Sequence, residues 1–346
     1  LCEACGVARE DILHIALSGN TVMQNLFLGV SPVRIGRLPF QPVCLHCPPV
    51  PAAELGLQAA PGALVETVPS ISGYVGGDIT SDLLVSDFAE REGLHLLVDI
   101  GTNGEMVAVE QGRFLCSATA AGPAFEGAGM AHGCRAAEGA IEHVLIHDDG
   151  SLELGVIGEA PVMGICGSGI VDLIAELWRR RWITPTGRLD EDVVPPERLL
   201  AVEQDGAKLR ALALATGAEA AGETVYVTEA DIAEVLKAKA AVYAGMQIVL
   251  AQLGKTFDDV QSLVLAGGFA RHLDLANAAA IGLLPELPQE RYEVIGNGSL
   301  GGAYRLLLDR DARDRMQATA ARPQVVHLNL CEGFEDAYID GLMLPE

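Results

Sequence analysis

Along the chain, short runs rich in Val, Ile and Leu alternate with stretches whose apolar residues fall at helical spacing, and glycines mark many of the junctions. That alternation predicts an α/β fold. His14 to Leu17 is a strand run that breaks at Ser18, Gly19 and Asn20 into a helical pattern. Val65 to Ile71, followed by a helical stretch from Val75 to Phe88, makes a second such unit. The pattern then changes: Leu96 to Ile100 is an apolar strand that turns at Gly101 to Gly104 and returns as Met106 to Val109, which predicts a β-hairpin. Thr228 and Asp231 stand at the spacing of a capping box and predict a helix start. The apolar residues from Ile232 to Leu253 continue that helix with Gly245 as an interruption, and Gly254 is placed to end it. Two further strands close the pattern, Val260 to Leu265 running into Gly267 and Gly268, and Tyr292 to Ile295 running into Gly296, Asn297, Gly298 and another helix. Residues 160 to 223 carry more turns and charge and read as an inserted subdomain.

Composition narrows the function classes. A chain of 346 residues that is 50% hydrophobic can bury a substantial core and suggests two lobes, 1–94 and 95–346. The formal net charge of −24, from 47 acidic against 23 basic residues, disfavours nucleic acid and anionic membranes as partners. No apolar run is long enough to span a bilayer and no secretory leader is recognisable, so a cytoplasmic protein is expected. With eight cysteines in a chain of this size, reduced thiols are expected. Cys2 with Cys5, and Cys44 with Cys47, have the CxxC spacing of zinc or iron–sulfur ligands. The first pair opens a helical segment and the second sits in a Pro-rich loop, so both are expected to be metal-free, while Cys116, Cys134, Cys166 and Cys331 read as small buried residues.

Most of the candidate chemistry lies between Leu96 and Glu105. Gly101 and Gly104 let the backbone approach a ligand, and the turn amides with the Thr102 hydroxyl can donate to phosphate oxygens. Asp99 can hold a magnesium ion or its waters, with Asn103 and Glu105 in the same hairpin. The same residues also suit an ordinary hairpin in which Asp and Thr only stabilise the turn. Leu263 to Arg271 supplies a second junction, where Gly267 and Gly268 open a helix beside Arg271 and can accept a nucleoside or phosphate. Neither a Walker loop nor a dinucleotide fingerprint fits the first motif, which leaves a hairpin type of phosphate loop.

These motifs resemble those of the superfamily of acetate and sugar kinases, heat-shock chaperones and actin, in which Asp-x-Gly-Thr hairpins grip phosphates and a later Gly-Gly turn contacts adenosine. The resemblance implies an actin-like ATPase with ribonuclease H-like lobes, with Asp99 to Glu105 as the second phosphate motif and Ala266 to Arg271 as the adenosine motif. Val75 to Phe88 resembles the connecting helix before that hairpin, which implies that Asp78 is a general base or a ligand to magnesium-bound water; a solvated acid at a helix start has the same position.

Within the superfamily the chain resembles the ATP-dependent reductive activators of corrinoid proteins over almost its whole length. Ser18 to Met23, Pro39 to Pro42, Ser72 to Asp78, Asp99 to Glu105, Ala121 to Gly127 and Gly164 to Gly169 follow that family's pattern in order. Lys237 and Lys239 lie on the matching long helix, so one of them is a candidate neighbour of the adenine or its phosphates, although both also suit a solvated helix face. The resemblance implies ATP and Mg2+ as cofactors and a corrinoid protein of a methyltransferase system as partner, with a homodimer open as the assembly. It implies ATP hydrolysis coupled to reduction of cob(II)alamin to cob(I)alamin. An earlier phosphate hairpin and an N-terminal ferredoxin-like domain, both usual in the family, have no counterpart here. The first lobe is therefore expected to be incomplete, the [2Fe-2S] cluster to lie in the absent N-terminal domain, and the chain to be the ATPase part of a longer protein. Three other readings stay open: a small-molecule kinase, an activator of another reductase or dehydratase, and a non-catalytic interaction module.

Overall fold

Among the described residues the alternating pattern resolves into four sheets and the helices that cover them. The computed structural model describes residues 2–345 apart from Asp205 and Ala221. The first part of the chain forms α1 (Cys2–Cys5), β1 (His14–Leu17), α2 (Thr21–Phe27), β2 (Val50–Pro51), β3 (Leu64–Thr67) and α3 (Gly77–Val85). A meander of β4 (Leu94–Ile100), β5 (Gly104–Glu110) and β6 (Arg113–Thr119) leads to β7 (Ala140–Ile146), β8 (Leu152–Val156), β9 (Gly164–Ile165) and α4 (Gly167–Arg179). Then come β10 (Leu199–Gln204), β11 (Ala207–Ala215), β12 (Val225–Thr228) and α5 (Glu229–Ala251). The chain closes with β13 (Ser262–Ala266), α6 (Leu275–Ala280), β14 (Tyr292–Gly296), α7 (Gly298–Leu308), α8 (Ala312–Ala320), β15 (Gln324–Val325) and α9 (Phe334–Gly341).

The largest sheet has six strands in the order β14-β13-β4-β5-β6-β15. Its β4, β5 and β6 pair antiparallel, while β13 runs parallel to both β4 and β14. Alternation along β4 divides the two faces. Leu96, Val98 and Ile100 join the core that includes Val242, Met246 and Val249 of α5, whereas Leu97 joins the core that includes Ile79 and Leu83 of α3. Asp99, two residues beyond Leu97, therefore projects to the α3 side. The capping box at Thr228 and Asp231 is formed in both directions and starts α5 as the sequence predicts.

Helix α3 is pressed against α7 by three glycines. A Cβ on Gly298 would lie 2.1 Å from Asp82 Oδ1, one on Gly301 3.1 Å from Val85, and one on Gly302 2.2 Å from Ser81. A hydroxyl chain crosses the same contact, with Ser299 2.9 Å from Ser18 and Ser18 2.9 Å from Ser81. The contact ties β1 and α3, from the first part of the sequence, to the last strand–glycine–helix unit.

Two features differ from the sequence expectation. The stretch 160–223 contains α4, a 13-residue helix buried along most of its length and packed on β7. Its glycine-rich start conceals it in the sequence: a Cβ on Gly167 would stand 1.9 Å from the carbonyl oxygen of Phe125, so only glycine admits this approach. Cys44 and Cys47, expected as separate thiols, are brought together by the Pro-rich loop, with Cα atoms 5.7 Å apart, within disulfide reach. Cys116 and Cys166 are buried as expected, but Cys134 and Cys331 are only partly so. Among the described residues no helix is long and apolar enough to cross a membrane.

Candidate functional site

The two glycine motifs meet at one point in the large sheet. Asp99, at the end of β4, pairs across the ladder with Glu105 of β5 on one side and with Ala266 of β13 on the other. Just past the end of β13 is Gly267, at φ +93°, where a Cβ would lie 2.6 Å from Asp99 Oδ1. The carboxylate thus occupies the space a side chain at 267 would need, and the phosphate and adenosine motifs are in contact through it. The amide of Gly267 donates to the carbonyl oxygen of Gly296 at 2.9 Å, which binds this turn to the following strand.

Four carboxyl groups gather on the α3 side of this point. Asp78 sits in the first turn of α3, where one of its oxygens accepts from the Ile79 amide at 2.9 Å. Asp82, one turn later, is fully buried and neither of its oxygens has a hydrogen-bond partner. Burial raises the Asp82 pKa well above 3.8, and the charges of Asp99, Asp78 and Glu105 raise it further. Asp99 is pushed up to about 7, first by burial and then by Asp78. Glu105 is raised well above its ordinary value by burial and by the same two aspartates, and Asp78 is raised by burial against the lowering effect of its backbone hydrogen bonds. Among the described residues no Lys, Arg or His forms an ion pair with any of the four.

The hairpin turn itself is occupied in an unforeseen way. Thr102 donates its amide and its hydroxyl to Glu126 Oε1, at 3.0 and 2.7 Å, while the amide of Gly101 donates to the carbonyl oxygen of Asn103 at 3.0 Å. Asn103 lines a cavity of about 590 Å³ with Phe40, Tyr74, His327 and Tyr338 among its walls. Gly104 is used for packing, since a Cβ there would meet Val242 of α5 at 2.9 Å.

At the second turn Gly268 is exposed with open space beside it, and Arg271 is exposed in the short turn that follows. Phe269 between them stacks on Phe125, with ring centroids 5.1 Å apart. The two lysines of α5 go different ways. Lys237 lies on the surface and pairs with Glu234 at 2.7 Å. Lys239 is buried and donates to the carbonyl oxygen of Met343 at 2.6 Å.

The sequence singles out Asp99, Asp78 and both glycine turns, but not Asp82, and Glu126 only within a motif. Asp82 is four residues after Asp78, the one local signal that both acids share a helix face. Glu126 is 24 residues from its partner, and only its place in the Ala121 to Gly127 motif drew attention to it.

The residues present fit a magnesium nucleotide. Among the described residues no three His, Cys, Asp or Glu side chains converge on one ion. Magnesium bound with phosphates needs only one or two protein carboxylates, and Asp99 and Asp78 supply that number beside a glycine turn with open space. Asp82 is buried behind them with both oxygens unpartnered.

Comparison with known proteins identifies the family. The family described as the C-terminal domain of RACo, the ASKHA domain, matches residues 93–346, and the RACo middle region matches residues 1–91. The chain is 33% identical over 315 residues to the corrinoid activation enzyme RamQ of Eubacterium limosum, covering 90% of this chain and 52% of RamQ. It is 25% identical over 313 residues to the [Co(II) methylated amine-specific corrinoid protein] reductase of Methanosarcina barkeri, covering 84% and 53% respectively. A solved structure named reductive activator for corrinoid, iron–sulfur protein superimposes with a TM-score of 0.93 and 36% identity, covering 100% of this chain and 55% of the other. The chain spans about half the length of the curated relatives it matches.

Proposed function

The chain belongs to the RACo family, with an actin-like α/β fold, and from that membership we propose that it is the ATPase part of a protein that reductively activates a corrinoid protein. The contact between Asp99 Oδ1 and Gly267 carries the reading, because it joins a phosphate hairpin to a nucleoside turn at one carboxylate. Residues 1–94 and 95–346 act as two lobes, and the nucleotide lies against the end of β4. When bound, magnesium ATP supplies the hydrolysis whose free energy drives the reduction of cob(II)alamin to cob(I)alamin. Asp99 holds magnesium or orients its waters. Asp78 takes the proton of the attacking water, and burial suits it to that task by raising its pKa towards the working pH. Gly268 and Arg271 border the nucleoside, and Thr102 offers the phosphates an amide and a hydroxyl.

The partner in this reading is a corrinoid protein of a methyltransferase system. The electron comes from a [2Fe-2S] domain outside the present chain, so these residues contribute energy coupling and no redox group. Opening and closing of the lobes changes contacts with the partner and biases the cobalt towards an easily reduced state.

Asp99→Asn in the full-length protein tests the reading, since it keeps the shape and removes the charge. ATP-driven formation of cob(I)alamin, followed by absorbance, should slow on the order of a hundredfold, about 2.7 kcal/mol of transition-state stabilisation. Docking to the corrinoid protein should be unchanged. Undiminished reduction removes Asp99 from the mechanism, and lost docking with normal hydrolysis recasts the hairpin as a partner-binding element.

A further inference from the structure

Thr102 is the residue whose amide and hydroxyl face the phosphates in the proposed function, yet both donors already have an acceptor. A single oxygen, Glu126 Oε1, takes the amide at 3.0 Å and the hydroxyl at 2.7 Å. A Cβ on Gly101 would stand 3.7 Å from that same oxygen, so the carboxylate rests against the turn where the glycine leaves room. A negatively charged oxygen with two converging donors in a glycine turn has the charge and the contacts of one phosphate oxygen.

The segment that carries Glu126 is fastened to its surroundings at defined points. Pro123–Glu126 is a short turn between two glycines in the left-handed region, Gly122 at φ +84° and Gly127 at φ +75°. The amide of Gly122 donates to the carbonyl oxygen of Thr102 at 2.9 Å, a second tie to the hairpin. Phe125 stacks on Phe269 in the second glycine turn, and its carbonyl oxygen lies against Gly167 at the start of α4. One seven-residue stretch therefore touches the phosphate hairpin, the nucleoside turn and a core helix.

We infer that Glu126 is an internal stand-in for a nucleotide phosphate, holding the donors of Thr102 until a phosphate oxygen takes them. The inference rests on the reading that the hairpin binds phosphate. Two anions cannot share this pair of donors, because like charges at hydrogen-bonding distance repel. Phosphate binding therefore expels Glu126 and loosens 121–127 from the hairpin. The tie through Phe125 delivers that displacement to Phe269 and α4, a differential contact of the kind that couples ligand occupancy to conformation.

The test is calorimetry on the full chain with magnesium ATP and, separately, inorganic phosphate, comparing the wild type with Glu126→Gln and Glu126→Ala. Removing the competitor should tighten binding about tenfold in Glu126→Ala, the worth of one charge-assisted hydrogen bond, and by less in the isosteric Glu126→Gln. Hydrogen exchange over 121–127 should rise on adding ATP to the wild type and be high from the start in Glu126→Ala. Equal or weaker ATP binding in both variants overturns the stand-in while leaving the phosphate hairpin intact. No binding of ATP by the wild type or either variant removes both.

Discussion

The two faces of the six-stranded sheet carry their buried polar groups in opposite ways. On the α5 face they are answered: Lys239 reaches the Met343 carbonyl, Thr228 and Asp231 bond each other's backbone, and Glu229 accepts from Arg188 and the Leu189 amide. On the α3 face Asp82 has no partner, and three further carboxyls raise its pKa or have theirs raised in turn. A buried polar group costs folding free energy unless it is paired, and a buried charge costs more. One face of the sheet is built for stability, while the other keeps unpaired carboxyls, their pKa values raised by burial, beside the turns that would meet a cation.

The largest effect that bears on this contrast is expected from Lys239→Ala. It removes a buried stem and leaves the Met343 carbonyl without its donor, so urea unfolding should show a loss of about 2–4 kcal/mol. A cost as small as that of a surface lysine such as Lys237 would erase the distinction between the faces.

A smaller effect, opposite in sign, is expected from Asp82→Asn. A carboxyl whose folded pKa lies above 3.8 takes up a proton on folding, so it favours the folded state most near pH 4 and less as pH rises towards the folded value. The asparagine does not titrate. The variant should match the wild type near pH 4 and be more stable by roughly 1 kcal/mol at pH 8, measured by thermal unfolding without nucleotide. The α5 face has the reverse dependence. Burial lowers Lys239 to about 8, so the wild type gains stability from pH 8 towards 10.5 as that charge is lost. Parallel pH profiles for the two faces would contradict the assignment. An effect no larger, about 1 kcal/mol, is expected from Thr228→Ala, which removes a helix cap with no connection to the carboxyls; chemical denaturation should detect it at any pH near neutral.

What could be read from sequence and what could not divides along the range of the interactions. The hairpin from Leu96 to Val109 and the cap at Thr228 are local, set by alternation and by residues three apart, and both appear in the fold. Lys237 and Lys239 are two positions apart, which on a helix turns them about 200° from each other, yet spacing does not say which one meets solvent. The pairing of Thr102 with Glu126 depends on how a loop folds back. The orphaned state of Asp82 depends on the approach of α7, 216 residues later, and an isolated acid in a helical stretch ordinarily reads as solvated. Helix α4 was hidden by the glycines that let it pack.

The glycine contact between α3 and α7 has a mechanical consequence. Interlocked side chains act as gear teeth and fix two helices against sliding as well as separation. Here Gly298, Gly301 and Gly302 present a nearly smooth rail to Asp82, Val85 and Ser81, and the hydroxyls of Ser18, Ser81 and Ser299 can exchange donor and acceptor roles as they pass. Arg305 of α7, which donates to the Leu84 carbonyl at 3.1 Å, pins the far end of this rail, so α3 and the acids it carries are coupled to α7 as a unit.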